Sequence, residues 1–206
     1  MEDRKPYRTV QKPAEAEYIE KKSRFIATVS PVTDDDCARE FVLSVKKKYP
    51  DARHNVYAYL TLDKMTRYSD DGEPKGTAGL PVLAVIQKQQ IVGCAVVVTR
   101  YFGGILLGAA GLLRAYTKAA ADGIDLAGIK EVRPYDKVSV TVTFPDYEKV
   151  RYELAKQGID DSDTEFLDNV TFHLLIRCEK TEAIIKRLTE LTAARAKITT
   201  TGKQMN

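Results

Sequence analysis

Two stretches decide how this chain is read: Asp70-Asp-Gly-Glu-Pro-Lys-Gly-Thr-Ala-Gly79 and Arg100-Tyr-Phe-Gly-Gly-Ile-Leu-Leu-Gly108. The first is a polar, glycine-rich loop. The second is a glycine-rich turn that leads into a helix. Between them, Gly79–Gln87 carries Leu80, Leu83, Ala84 and Ile86 at helical spacing, with Pro81 suited to a first helical turn. Ile91 to Thr99 is a near-continuous apolar run, the pattern of a strand covered on both faces. From Gly108 the positions Leu112, Leu113, Tyr116, Ala119 and Ala120 mark a second helix, with Gly123 as its expected stop.

Upstream, residues 1–17 read as an irregular lead-in, and Tyr18–Val32 as strand with a turn at Lys21-Lys22-Ser23. Thr33 is the expected N-cap of an amphipathic helix over 34–49, with Asp34, Asp35 and Asp36 at its start and Lys46-Lys47-Lys48 at its end, each sign where the helix dipole favours it. Arg53–Leu62 alternates as a strand, and 63–78 reads as one long loop.

Downstream, 129–136 reads as a link between domains, 1–130 and 131–206. After it come a strand ending near Phe144, a helix to Gly158, strands near 159–167 and 170–178 joined by a two-residue Asp168-Asn169 turn, a helix through Ile184–Leu191, and a strand at 196–201. That βαββαβ order is ferredoxin-like.

Composition narrows the function classes. The 206 residues are 44% hydrophobic and 30% charged, ordinary for a globular protein. No apolar run is long enough to span a membrane, and no secretory signal leads the chain, so the expected compartment is the cytoplasm. Cys37, Cys94 and Cys178 lie far apart without metal-ligand spacing, and Cys94 and Cys178 read as core residues. His173, in a hairpin strand, has no ligand-spaced partner. Residues 1–130 hold 20 basic and 16 acidic side chains, a net of +4, whereas 131–206 hold 12 and 13.

The candidate site comprises Asp70, Asp71, Glu73, Lys75 and Thr77 on the first loop, Arg100, Tyr101, Phe102, Gly103 and Gly104 on the second, and His54 and Tyr57 near them. Loop carboxylates can hold a divalent cation or simply be solvated. Glycine-freed backbone N–H groups at a helix start beside Arg100 can bind an anion, or can serve only a tight turn. Arg114 and Lys118 can widen a basic surface. No hydrolase or nucleotide-binding spacing occurs, so the residues alone assign no catalytic group, metal or cofactor.

The motifs Ser69-Asp-Asp-Gly-Glu-Pro-x-Gly-Thr-Ala-Gly-x-Pro and Val97-Val-Thr-Arg-Tyr-Phe-Gly-Gly-x-x-Leu-Gly, with Ser23-Arg-Phe-Ile-Ala and Ala52-Arg-His-Asn-Val-Tyr-Ala-Tyr, resemble the signature of the IMPACT family in its two-domain, YigZ/YvyE-like bacterial form. The resemblance implies an α+β protein. Its N-terminal domain would be an α/β sandwich like the second domain of a small-subunit ribosomal protein, followed by a ferredoxin-like domain. Eukaryotic relatives restrain a translation kinase by competing for its activator. The expectation is therefore a non-enzymatic, translation-associated regulator that binds RNA, the ribosome or a translation-factor partner. The alternative is an enzyme acting on a phosphorylated small molecule, with the loop carboxylates holding a metal. A protein adaptor anchored by Tyr57, Tyr59, Tyr101 and Phe102 is a third possibility.

Overall fold

In the computed structural model, residues 5–206 are described; the first four residues of the expected lead-in lie outside them. Tyr7–Glu131 form one compact unit, and Val132–Asn206 are the body of a second.

The first unit runs β1 (Tyr7–Val10), β2 (Ala14–Glu20), β3 (Ser23–Pro31), α1 (Asp35–Lys48), β4 (His54–Leu60), β5 (Thr66–Ser69), α2 (Gly79–Lys88), β6 (Cys94–Tyr101) and α3 (Gly108–Ala127), with β7 (Ile129–Val132) pairing back to β1. The main sheet has the order β2-β3-β6-β4-β5, and every neighbouring pair is antiparallel. The apolar run of β6 takes the central place because both its faces must be covered. Towards α2 and α3 lie Phe25, Val56, Val96, Val98, Ile86, Leu112, Tyr116 and Ile124. Towards α1 lie Val32, Ala38, Val42, Val45, Tyr59, Ala95 and Val97.

Several expectations are corrected. Residues 7–17 are not irregular, because β1 and the start of β2 form there. The Lys21-Lys22 turn takes positive φ at both residues, the twist a two-residue hairpin needs. Asp34, not Thr33, caps α1: its carboxylate accepts the Cys37 N–H at 2.9 Å. The 63–78 stretch contains β5, an edge strand paired to β4. Helix α3 runs through Gly123 to Ala127 with Gly128 as its C-cap, and Gly123 is where the helix touches the sheet. A β-carbon there would stand 2.9–3.0 Å from side-chain atoms of Val29 and Ala27. The expected link at 129–136 is mostly strand.

The second unit runs β8 (Pro134–Val142), α4 (Phe144–Lys156), β9 (Thr164–Phe166), β10 (Val170–Arg177), α5 (Cys178–Leu191) and β11 (Lys197–Met205). The sheet order β11-β8-β10-β9 is the ferredoxin-like arrangement, packed around Val140, Phe172, Leu174, Val150, Leu154 and Leu188. β9 is shorter than the expected 159–167 strand. Because Phe166 pairs with Val170, the β9–β10 loop has residues 167–169 rather than two. Cys178 is half-buried at the start of α5 instead of lying in a strand core. Asp146, buried in the first turn of α4, accepts hydrogen bonds from Arg195 at 2.9–3.0 Å.

Candidate functional site

The β4–β6 register places His54 opposite Arg100, and that pairing brings the two candidate loops together. Glu73 reaches into the gap. Its Oε1 accepts a hydrogen bond from Arg100 Nη1 at 2.7 Å and another from the Tyr116 hydroxyl at 2.8 Å. Glu73, Arg100 and Tyr116 are all buried, at 8%, 7% and 0% exposure. Burial first, then the Glu73 charge, pushes the Tyr116 hydroxyl well above the usual phenol range. The Arg100 guanidinium lies 5.5 Å from the Phe25 ring centroid and 5.7 Å from that of Phe102. Its Nε is buried without a hydrogen-bond partner among the described residues.

His54 borders this network. Its Nδ1 sits 2.8 Å from the Asp71 carbonyl oxygen. A carbonyl can only accept, so Nδ1 carries a proton. Nε2 then faces Glu73 Oε1 at 4.0 Å.

The other loop carboxylates point elsewhere. Asp70 accepts N–H bonds from Gly76, Ala78 and Gly79 at 2.8–3.1 Å, tying the loop to the start of α2. Asp71 accepts from the Asn55 N–H at 2.7 Å and from Lys46 Nζ at 2.8 Å. The three carboxylates therefore do not converge on one point. Among the described residues, no three His, Cys, Asp or Glu side chains are grouped to hold a metal ion. Thr77 is buried and donates to the Pro74 carbonyl, and Lys75 is exposed.

α3 starts at Gly108, as its apolar spacing indicates, so Gly103 and Gly104 form the turn ahead of the helix and the free N–H groups of its first turn are not theirs. The Gly103 N–H donates to Ser23 Oγ at 3.1 Å. A β-carbon on Gly103 would stand 2.0 Å from the Lys22 carbonyl carbon, so glycine is required by the close approach of the β2–β3 turn. Arg100 faces Glu73 instead of offering its charge to an anion. Tyr101 donates to Asp51 at 2.8 Å, Phe102 is half-exposed, and Lys118 pairs with Asp122.

Tyr57 stacks on Tyr59, with centroids 6.0 Å apart and planes 15° from parallel. The Tyr59 hydroxyl donates to Asp35 at 2.6 Å; burial, then Asp35, pushes its pKa up to about 12. Sequence reading missed the roles of Tyr116, Lys46, Ser23 and Asp35. A phenol on the apolar face of α3 was the one available signal, since a buried hydroxyl needs a partner. Cys94 lies at the end of β6 away from His54, opposite Leu60, and burial pushes its thiol up to about 12. His173 is exposed on β10. No helix among the described residues is long and apolar enough to cross a membrane.

Comparison with known proteins agrees with this architecture. Residues 21–124 match the Impact N-terminal domain, and 140–195 match a domain of unknown function, DUF1949. IMPACT family member YvyE of Bacillus subtilis is 36% identical over 194 residues, covering 93% of this chain and 89% of that protein. An IMPACT family member of Haemophilus influenzae is 36% identical over 184 residues, covering 85% and 87%. The rat protein IMPACT is 35% identical over 100 residues, covering 45% of this chain and 31% of its own length. A crystal structure described as that of a hypothetical protein superposes with a TM-score of 0.61 at 25% identity, covering 96% and 98%.

Proposed function

This chain belongs to the IMPACT family, and on that premise we propose that it is a translation-associated regulator that works by docking on RNA, the ribosome or a translation-factor partner. One observation carries the reading. Every carboxylate of the 70–78 loop is held by donors from its own unit, so the loop's acids serve to fix a surface. The basic excess of residues 1–130 supports a polyanionic partner. The alternative, a metal-dependent enzyme acting on a phosphorylated small molecule, would need Asp70, Asp71 and Glu73 to abandon these donors and swing to one point.

The test is co-sedimentation of the full chain with ribosomes and with ribosome-free RNA across a salt series. Association at low salt that weakens as salt rises is expected, because phosphate contacts release counterions. Failure to sediment with either at low salt would remove the RNA and ribosome limbs of the reading.

A further inference from the structure

The sheet of the first unit is wider than the helix on one of its faces. Five strands spaced about 4.8 Å apart span roughly 19 Å, whereas a helix with its side chains is about 10–12 Å across. Among the described residues, α1 is the one helix packed on the face that carries Tyr57, Tyr59 and Val97. A cleft of about 370 Å³ remains between α1 and the edge strand β5, within the size range of small-ligand sites. It is lined by Arg39, Leu43 and Lys46 of α1, Tyr57 and Tyr59 of β4, and Arg67 of β5.

The chemistry of this cleft is specific. Asp35 binds both Arg39 and Arg67, each through Nε at 2.9 Å. One carboxylate thus holds two guanidiniums side by side and leaves an excess positive charge. Lys46 adds a third cation, balanced by Asp71. Each guanidinium has five N–H donors, more than Asp35 can accept. Between the cations lie the stacked tyrosine pair and Leu43, which is 56% exposed. Arginines paired to Asp35 beside the exposed Leu43 and the half-buried Tyr57 ring suit a phosphate joined to a flat ring.

We propose that the α1–β5 cleft binds one nucleotide unit of single-stranded RNA, with its base against Tyr57 and Leu43 and its phosphate on Arg39 and Arg67. The inference rests on the RNA limb of the proposed function and gives it an address. The cleft's volume admits one splayed nucleotide. A duplex keeps its bases stacked inside and cannot place one on Tyr57.

The test uses the full chain and a fluorescein-labelled oligouridylate of about twelve nucleotides, read by anisotropy at low salt. Arg39→Gln/Arg67→Gln is expected to raise Kd about tenfold or more, and Tyr57→Leu about fivefold or more. Lys156→Gln/Lys186→Gln on the second unit removes the same formal charge and is expected to change Kd less than about twofold. A 4-thiouridine oligonucleotide on the unmodified chain should crosslink within the cleft, a readout that needs no variant to fold. The proposal is overturned by any of four results: a crosslink elsewhere, equal losses in the groove and control pairs, equal affinity for duplex RNA, or equal displacement by polyglutamate or free uridine monophosphate. Ribosome co-sedimentation that persists in a chain whose cleft variants bind the oligonucleotide normally would remove this site and leave the regulator reading intact.

Discussion

Removing the Glu73 carboxylate tests whether the two signature loops are joined by a buried charge pair. Arg100 is 7% exposed, and its counter-charge is the carboxylate 2.7 Å away. Deleting one partner of a buried ion pair costs about 3–5 kcal/mol, because the survivor is left uncompensated. The Tyr116 hydroxyl loses its acceptor too, adding about 1 kcal/mol. The expected cost of Glu73→Leu is therefore about 4–6 kcal/mol, the ion-pair cost plus the lost Tyr116 acceptor.

Because the chain divides into two compact units, the assay is hydrogen exchange of the β6 amides rather than one global melt. At about 1.4 kcal/mol per tenfold, those amides should exchange about three to four orders of magnitude faster. Arg100→Met alone should also destabilise. The double variant Glu73→Leu/Arg100→Met, which buries no unpaired charge, should recover about 2 kcal/mol relative to the sum of the single changes. Additivity within about 0.5 kcal/mol, or a Glu73→Leu cost below about 1 kcal/mol, would refute the buried coupling.

Gly103→Ala should destabilise the first unit by about 3 kcal/mol or more in urea titrations, because its β-carbon would meet Lys22 backbone. Gly104→Ala, with open space but φ of +83°, should cost about 1–2 kcal/mol. If the two cost the same, the close contact is not real. Asp146 is held below the usual carboxylate range by hydrogen bonds from Arg195, so near pH 4 the unfolded chain binds more protons than the native one. The second unit should lose stability as pH falls through and below that window, and Asp146→Asn should flatten this acid limb in circular-dichroism titrations. Cys94 is fully buried with its thiol pushed up to about 12, so at pH 8 a thiol reagent should label it only after unfolding, and labelling in the native state would contradict its placement.

Periodicity and turn chemistry are local properties, and they set most of this chain's elements: the α1 stripe, the apolar β6, the βαββαβ order of the second unit. The signature motifs also placed the chain in its family. Elements failed where a tertiary contact overrode a local signal. Gly123 reads as a helix stop, but the helix continues through it, and the sheet there approaches too closely for a side chain. β5 reads as loop because four polar residues become a strand only when β4 supplies a partner. The same rule governs the site. Sequence supplied Arg100 and Glu73 as residue types of opposite charge, but the pairing of β6 with β4 and of β4 with β5 brought the loop after β5 over Arg100, 27 positions away, and used that charge internally. The groove beside Arg39 and Arg67 had no sequence signal, since it exists only because one helix is narrower than the five-stranded sheet beneath it.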